Sequence, residues 1–201
     1  MKLFEKAFFR RPRILNQLHR AHLVHATSQT NAEELAALER HAAGATRALE
    51  IGTYQGVSAV HIVTAMAADG VLFCIDPWPE VAGRPNPCWL ICERHLRRSG
   101  ATERIRVIRG FSGEVLDLIP ARFDFAFIDG DHSWDGLQTD WGIVSQRLSS
   151  GGIVCLHDTI IPDAEPWRKL DSMKFYQEVI CKDVSFETVE TVYSMTILRK
   201  R

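Results

Sequence analysis

Hydrophobic and polar residues follow two alternating patterns along this chain. Short runs rich in apolar residues are separated by segments whose apolar residues return every third or fourth position; the runs are ALEI, VLFCID, IRVIRG, FDFAFIDGD and IVCLHDT. Continuous apolar runs are typical of strands that are buried on both faces, and the intervening spacing is typical of helices. The pattern therefore predicts an α/β fold with a doubly wound, mostly parallel sheet.

Both ends of the chain add elements to this alternation. Before the first strand, residues 12–25 and 31–43 predict two helices, and Thr30 and Glu33 have the spacing of a capping box for the second helix. After the last apolar run, the pattern predicts a helix over 166–181 and then an antiparallel pair of strands, which cover 184–190 and 192–199. Together with the five apolar runs, this hairpin gives a seven-stranded sheet.

Composition and charge narrow the class of protein. With 201 residues, of which 46% are hydrophobic and 24% charged, we expect a single domain over 1–201, with N-terminal helices and a lip over 1–45 and the core over 46–201. The 24 basic residues nearly balance the 25 acidic ones, so no nucleic-acid partner is expected. Because no apolar run approaches the roughly 20 residues of a membrane span, we expect a cytoplasmic protein without a membrane partner, and a homodimer is a possible assembly.

A glycine turn follows the first predicted strand. In the stretch over 48–60, Gly52 and Gly56 bracket three residues, and apolar residues at helical spacing follow them. Glycines at a strand-to-helix turn let the backbone fold sharply and let a ligand approach closely, and the next helix begins with unpaired N–H groups. The stretch therefore predicts one wall of a cofactor crevice.

Polar side chains, most of them acidic, lie at the ends of several predicted strands. These residues are Glu50, Asp76, Asp129 with Asp131, and His157 with Asp158. In a doubly wound sheet, ligands bind beyond the carboxyl ends of the strands, where these side chains would gather. A carboxylate at position 76 is placed to accept hydrogen bonds from both ribose hydroxyls of a nucleoside. A dinucleotide is less suited to this turn, because the G-x-G-x-x-G fingerprint is missing and Glu50 would repel phosphates; a nicotinamide oxidoreductase nevertheless stays as one alternative.

These residues resemble a known family. An acid before a G-x-x-x-G turn, with a second acid after the next strand, resembles the class I S-adenosylmethionine (SAM)-dependent methyltransferases. The stretch EIGTYQGVSAV is similar to the small O-methyltransferases of the catechol and caffeoyl-CoA branch, and IDGDHSW with GGIVCLHDT resembles bacterial relatives that methylate sugars and other natural-product hydroxyls. The resemblance implies a Rossmann-like sheet and a SAM site; its cofactor-binding residues would be Glu50, Gly52, Tyr54, Gly56, Ser58, Asp76, Pro77, Ser112 and Asp129.

The resemblance also implies how the reaction is assisted. Acids at the ends of the fourth and fifth strands hold Mg²⁺ in that branch, and here the corresponding donors are Asp129, His157 and Asp158. Because a histidine is a softer ligand than the acid or amide usual there, Mn²⁺, Fe²⁺ and Zn²⁺ become options beside Mg²⁺, and a reaction without a metal is an alternative. Asp131 and His132 are the candidate general bases.

The methyl acceptor is the part that the sequence defines least. We predict a small molecule with a reactive hydroxyl, such as a sugar or an aromatic compound, against a wall that Trp78, Trp134 and Trp167 could form. One alternative is a metal-independent methyltransferase that uses His132 or His157 as its base. Another is a SAM-binding protein that has kept the fold without catalysis.

Overall fold

The computed structural model describes residues 12–162 and 170–201, and its centre is one twisted sheet. The strands are β1 (Arg47–Ile51), β2 (Val71–Asp76), β3 (Ile105–Arg109), β4 (Phe123–Ile128), β5 (Leu148–Leu156), β6 (Phe186–Val192) and β7 (Met195–Lys200). They lie in the order β3-β2-β1-β4-β5-β7-β6, in which β1 to β5 are parallel and β7 is antiparallel to both of its neighbours. The predicted mostly parallel, Rossmann-like seven-stranded sheet with a C-terminal hairpin is confirmed.

Helices cover both faces of this sheet. They are α1 (Pro12–Arg20), α2 (Ala32–Ala42), α3 (Val57–Ala65), α4 (Pro87–Ser99), α5 (Trp134–Arg147) and α6 (Asp171–Glu178). Successive side chains of a strand point to opposite faces, so Phe125 and Phe127 of β4 pack with the α2 to α4 side, whereas Ala126 and Ile128 pack with the α5 and α6 side. Within the described ranges, no helix is both long enough and apolar enough to span a bilayer.

Several helix boundaries differ from the predicted ones. The first helix ends at Arg20 rather than near residue 25, and the capping box of α2 uses Asn31 and Glu34 instead of Thr30 and Glu33. The Asn31 side chain accepts hydrogen bonds from the backbone N–H groups of Glu33 and Glu34, so the helix begins one residue later. The predicted short helix at Ser112 is a pair of 3₁₀ turns, and the predicted helix start at 166 lies outside the described residues.

The strand order creates one crevice. The chain moves outward from β1 to β2 and β3, and then returns to place β4 on the other side of β1. The connections after β1 and β4 therefore leave in opposite directions, and a gap opens between them at the carboxyl ends of the strands. This switch point lies beside Gly52, Asp76 and Asp129.

Candidate active site

A cavity of about 500 Å³ occupies the switch point. Its lining includes most of the predicted site residues, namely Gly52, Tyr54, Ser58, Asp76, Pro77, Ser112, Asp129, Asp131 and His132. Residues Thr27, Ser28 and Gln29, between α1 and α2, close one side of it, where the sequence predicted a lip. The predicted residues Glu50, Gly56, His157 and Asp158 are not part of the lining.

The glycine turn brings two strand ends into close contact. Gly52 has φ +94°, and a Cβ built on it would lie 1.9 Å from the carbonyl oxygen of Asp129. Only glycine allows both the left-handed backbone and this close approach. Gly56 instead faces α4, where a Cβ would meet Leu96 at 3.0 Å and Cys92 at 3.1 Å. Gly56 thus packs on α4 at the start of α3, and its expected place against the cofactor stays a prediction.

Asp76 is anchored by the glycine turn. Its two carboxylate oxygens accept hydrogen bonds from the backbone N–H groups of Tyr54, at 2.8 Å, and Trp78, at 2.9 Å. Burial raises the pKa of Asp76, and these two hydrogen bonds offset part of the effect. The carboxylate still lines the cavity and keeps acceptor capacity on both oxygens, which suits a ligand with two neighbouring hydroxyls.

Of the three tryptophans expected to form an acceptor wall, the two that the structure describes do not do so. Trp78 is 2% exposed and donates its indole N–H to the carbonyl of Tyr54 at 2.7 Å, so it is a core residue. Trp134 packs edge-on against Phe175 outside the cavity lining, and Trp167 lies outside the described residues. The lining instead contains the aromatic side chains of Tyr54 and of Phe111, which is 58% exposed.

Glu50 is completely buried beneath the glycine turn. Neither of its carboxylate oxygens has a hydrogen-bond partner among the described residues. Burial raises the pKa of Glu50 from 4.5 to about 7, although the neighbouring hydroxyls of Ser58 and Thr53 offset part of the effect. This carboxyl group lies beneath the glycine turn, and its charge is costly unless a cation lies nearby.

The buried Glu50 makes a testable contribution to pH-dependent stability. Because its pKa in the folded protein lies above its unfolded value, the folded state holds an extra proton, and stability falls as the pH rises from about 4.5 through 7. We expect the stability of the ligand-free wild type relative to Glu50→Gln to fall by on the order of 3 kcal/mol between pH 4.5 and pH 8. Urea unfolding at both pH values measures this, with the exposed Glu103→Gln as control. A constant difference between wild type and Glu50→Gln would contradict the assignment.

A cluster of acids and histidines lies at the ends of β4 and β5. Possible ligand atoms of Asp129, His132 and His157 all lie within 4.8 Å of one another. An oxygen of Asp129 is 2.9 Å from Nδ1 of His157 and 3.6 Å from Nε2 of His132. Carboxylate oxygens of Asp158 lie 3.5 Å from Nδ1 of His157 and 3.7 Å from Nε2 of His132. Two ligands of one ion at about 2.1 Å are separated by roughly 3 to 3.5 Å. The Asp129 oxygen is near this distance from both histidine nitrogens, so the three residues form a candidate metal site.

His157 is the most strongly perturbed member of the cluster. Burial lowers its pKa, but the carboxylates of Asp129, Glu34 and Asp158 outweigh burial and raise the pKa to about 10. Without a metal, the ring is therefore an imidazolium among three carboxylates. A metal at this cluster has to displace the proton that Nδ1 carries.

The two predicted bases have other partners. Asp131 accepts hydrogen bonds from the backbone N–H of Ser133, at 3.0 Å, and from its hydroxyl, at 2.9 Å, so the carboxylate helps to begin α5. His132 faces Asp129 and Asp158, which groups it with the possible metal ligands. Asp131 stays exposed at the cavity edge, so it keeps a path to an acceptor proton.

Two features of the cavity were not predicted. Asp140 of α5 is buried, lines the cavity and accepts a hydrogen bond from the Ser112 hydroxyl at 2.5 Å; burial raises its pKa to about 6. The lip is held by Gln55, whose side-chain oxygen accepts hydrogen bonds from the backbone and hydroxyl of Thr27, at 2.9 and 3.2 Å. In the sequence, Asp140 is an ordinary polar position of a helix and Gln55 is a turn residue. Nothing in the neighbouring residues therefore indicated that either belongs to the site.

The charge of the lining indicates the kind of ligand. Among the described residues that line the cavity, four are aspartates and none is lysine or arginine. Such a surface attracts a cation by Coulomb interaction and repels a pyrophosphate. The residues present therefore fit a nucleoside that carries a positive charge, such as SAM, better than a dinucleotide.

Comparison with known proteins agrees with this geometry. Residues 49–159 match the family described as a methyltransferase domain. Caffeoyl-CoA O-methyltransferase 2 of Zea mays is 27% identical over 149 residues, which are 68% of this chain and 52% of the relative. The catechol O-methyltransferase of Mycobacterium tuberculosis is 29% identical over 121 residues, 58% of this chain and 49% of the relative. The chain thus spans about half the length of these curated relatives.

Solved structures show the same fold. The O-methyltransferase TomG of Streptomyces achromogenes, solved with SAM, has a TM-score of 0.64 at 21% identity, over 94% of this chain and 88% of the other. The O-methyltransferase of Bacillus cereus, solved with SAH, has a TM-score of 0.64 at 18% identity, over 94% and 90%. With more than half of its length matched by the family model, the chain belongs to the methyltransferase domain family.

Proposed function

We propose that this protein transfers the methyl group of SAM to a hydroxyl group of a small molecule. One observation carries the proposal: a single cavity joins the glycine turn and Asp76 to the Asp129 and His132 cluster, with four aspartates and no lysine or arginine in its described lining. The first half suits a nucleoside cofactor with a positive charge. The second half holds groups that can orient a hydroxyl and accept its proton.

Each half of the cavity has a distinct task in this proposal. Asp76 accepts the ribose hydroxyls, Gly52 lets the methionine part approach the backbone, and Ser112 borders the adenine. SAM supplies an electrophilic methyl group. Asp131, at the exposed edge, takes the acceptor proton either directly or through water, and the lip at Thr27, held by Gln55, borders this site.

We further propose a divalent cation, Mg²⁺ or Mn²⁺, at the cluster. Asp129, His132 and His157 would hold it, with Asp158 as a neighbouring carboxylate, and the ion would stabilise negative charge on the acceptor oxygen. The two imidazole donors favour Mn²⁺ over Mg²⁺. A metal-independent enzyme is the second candidate, because Nδ1 of His157 lies 2.9 Å from Asp129 and the imidazolium itself supplies a positive charge at this position.

The names of the relatives suggest the class of acceptor. One is a caffeoyl-CoA and the other a catechol O-methyltransferase, and both names denote compounds with aromatic hydroxyls. We therefore propose an aromatic or sugar hydroxyl as acceptor, with Phe111 at the cavity edge as a surface for a ring. A cytoplasmic location and a homodimer stay predictions.

Thermal unfolding with different cofactors tests the proposed cofactor. A ligand that binds only the folded state stabilises it by about 2.7 kcal/mol at 100 times its Kd, so SAM is expected to raise the melting temperature by several degrees. NAD at the same concentration is expected to leave it unchanged, because the cavity repels the pyrophosphate. Stabilisation by NAD alone would overturn the proposal in favour of an oxidoreductase.

A further inference from the structure

The buried carboxylate of Glu34 has no place in the mechanism so far. Glu34 lies in the first turn of α2, is 1% exposed, and is outside the cavity lining. Its Oε1 accepts hydrogen bonds from the backbone and hydroxyl of Ser194, at 3.1 and 2.8 Å. Its Oε2 accepts the backbone N–H of Asn31 at 3.0 Å and lies 3.4 Å from Nε2 of His157.

The needs of the helix do not explain a buried charge at this position. A capping box is formed by glutamine as well as by glutamate, so the box itself does not require a charge. Placing an ionised carboxylate in the interior is unfavourable unless it is paired and hydrogen-bonded. The side chain of Glu34 is held from two other segments, and the ring that it faces is the imidazole of His157.

His157 lies between Glu34 on one side of its ring and Asp129 and Asp158 on the other. One ring nitrogen, Nε2, faces Glu34, and the other, Nδ1, faces Asp129 at 2.9 Å and Asp158 at 3.5 Å. Although Asp129 is so close, the Nδ1 atom has no partner with hydrogen-bond geometry among the described residues. Nδ1 therefore points into the cluster, and a metal bound there would replace the proton that this nitrogen carries. Histidines that bind metals commonly donate their other N–H to a carboxylate, which fixes the ring orientation and the tautomer.

We propose that Glu34 is a positioning residue for a divalent metal at the Asp129, His132 and His157 cluster. Its carboxylate accepts the Nε2–H of His157 and thereby directs Nδ1 at the metal position. Ser194 and the Asn31 backbone in turn fix the carboxylate. This inference rests on the cation of the proposed function, and it assigns Glu34 of α2 a role in positioning a metal ligand.

Cobalt binding to the full chain tests this assignment without any methyl acceptor. Co²⁺ is titrated into the wild type, Glu34→Gln and Glu33→Gln, with calorimetry and the visible absorption of the histidine-bound ion as readouts. Glu34→Gln keeps the size of the side chain and the capping box but removes the carboxylate. Glu33→Gln is the matched control. It removes the same charge from the same helical turn, but at an exposed position.

We expect Glu34→Gln to weaken Co²⁺ binding by roughly 10-fold to 100-fold, the usual effect of losing an outer carboxylate. Glu33→Gln should bind like the wild type, and the SAM-induced rise in melting temperature should be the same in all three proteins. A purely structural role would lower the melting temperature of Glu34→Gln and leave Co²⁺ affinity unchanged. Equal Co²⁺ affinity of wild type and Glu34→Gln, or no Co²⁺ binding to the wild type, would overturn the proposal.

A second variant covers the case in which Glu34→Gln does not fold. Ser194→Ala removes one hydrogen bond from the side of Glu34 that faces away from His157. It is expected to weaken Co²⁺ binding by a smaller factor, and an affinity equal to that of the wild type would overturn the proposal. The SAM-induced shift is measured separately, so loss of the metal role and failure of the methyltransferase proposal give different results.

Discussion

Replacing Gly52 with alanine is expected to lower the free energy of unfolding by about 4 kcal/mol and to abolish SAM binding. The added Cβ would lie 1.9 Å from the carbonyl oxygen and 2.4 Å from the carbonyl carbon of Asp129, both of which are backbone atoms of a neighbouring segment. That segment cannot move freely, because the Asp129 N–H donates to the Ile51 carbonyl at 2.8 Å. The clash would separate β1 from β4 at the point where the cofactor approaches.

Gly44→Ala is the matched control for this variant. Gly44 also has a left-handed backbone, with φ +77° against +94° for Gly52, but a Cβ there meets no atom within 4 Å. Its cost is therefore the backbone strain alone, about 1 kcal/mol. Chemical unfolding and SAM-induced thermal shifts measure both proteins. If Gly52→Ala were no less stable than Gly44→Ala and still bound SAM, the close approach of the two strand ends would be refuted.

Asp129→Asn is expected to reduce methyl transfer by two to three orders of magnitude while the protein stays folded. The carboxylate of Asp129 lies between Nδ1 of His157 and Nε2 of His132, and it lines the cavity. The amide keeps the shape but loses the charge that holds the two histidines and the proposed cation. The rate of methyl transfer from labelled SAM, with catechol as the first acceptor tried, measures the effect.

Asp124→Asn is the control on the same strand. Asp124 lies at the opposite end of β4, where its carboxylate accepts hydrogen bonds from Thr46 and the Arg47 backbone, so its loss should lower stability without a large effect on the rate. EDTA distinguishes the two candidate mechanisms. A metal-dependent wild type loses activity in EDTA to the level of Asp129→Asn, whereas a metal-independent enzyme does not. Near-normal activity of Asp129→Asn would remove this residue from the active site.

The elements of the fold were largely predictable because their signals are local. The apolar runs at β2 and β4 and the helical spacing between them are readable from a few neighbouring residues, and the predicted sheet is confirmed. Boundaries were less predictable, as at α2, where Asn31 rather than Thr30 begins the helix. Adjacent polar residues can each cap a helix, and the packing of Glu34 against Ser194 decides between them.

The candidate site was predictable as a place and less so in its details. Side chains at the carboxyl ends of parallel strands gather at one edge, so Asp76 and Asp129 were expected to meet, and both line the cavity. Their surroundings depend on distant contacts. Trp78 lies in the core rather than against the acceptor, because its indole donates to the Tyr54 carbonyl.

The sequence by itself thus determined the kind of sheet, the cofactor crevice and the acids beside it, because strand patterns and strand-end residues are local features that fix topology. Only the tertiary structure decided which way each side chain faces: Glu50 lies beneath the turn, Gly56 packs on α4, and Asp131 binds Ser133. It also placed Glu34 beside His157, more than a hundred residues away along the chain. No sequence periodicity predicts such a pair, because it forms only when α2 packs over the ends of β4 and β5.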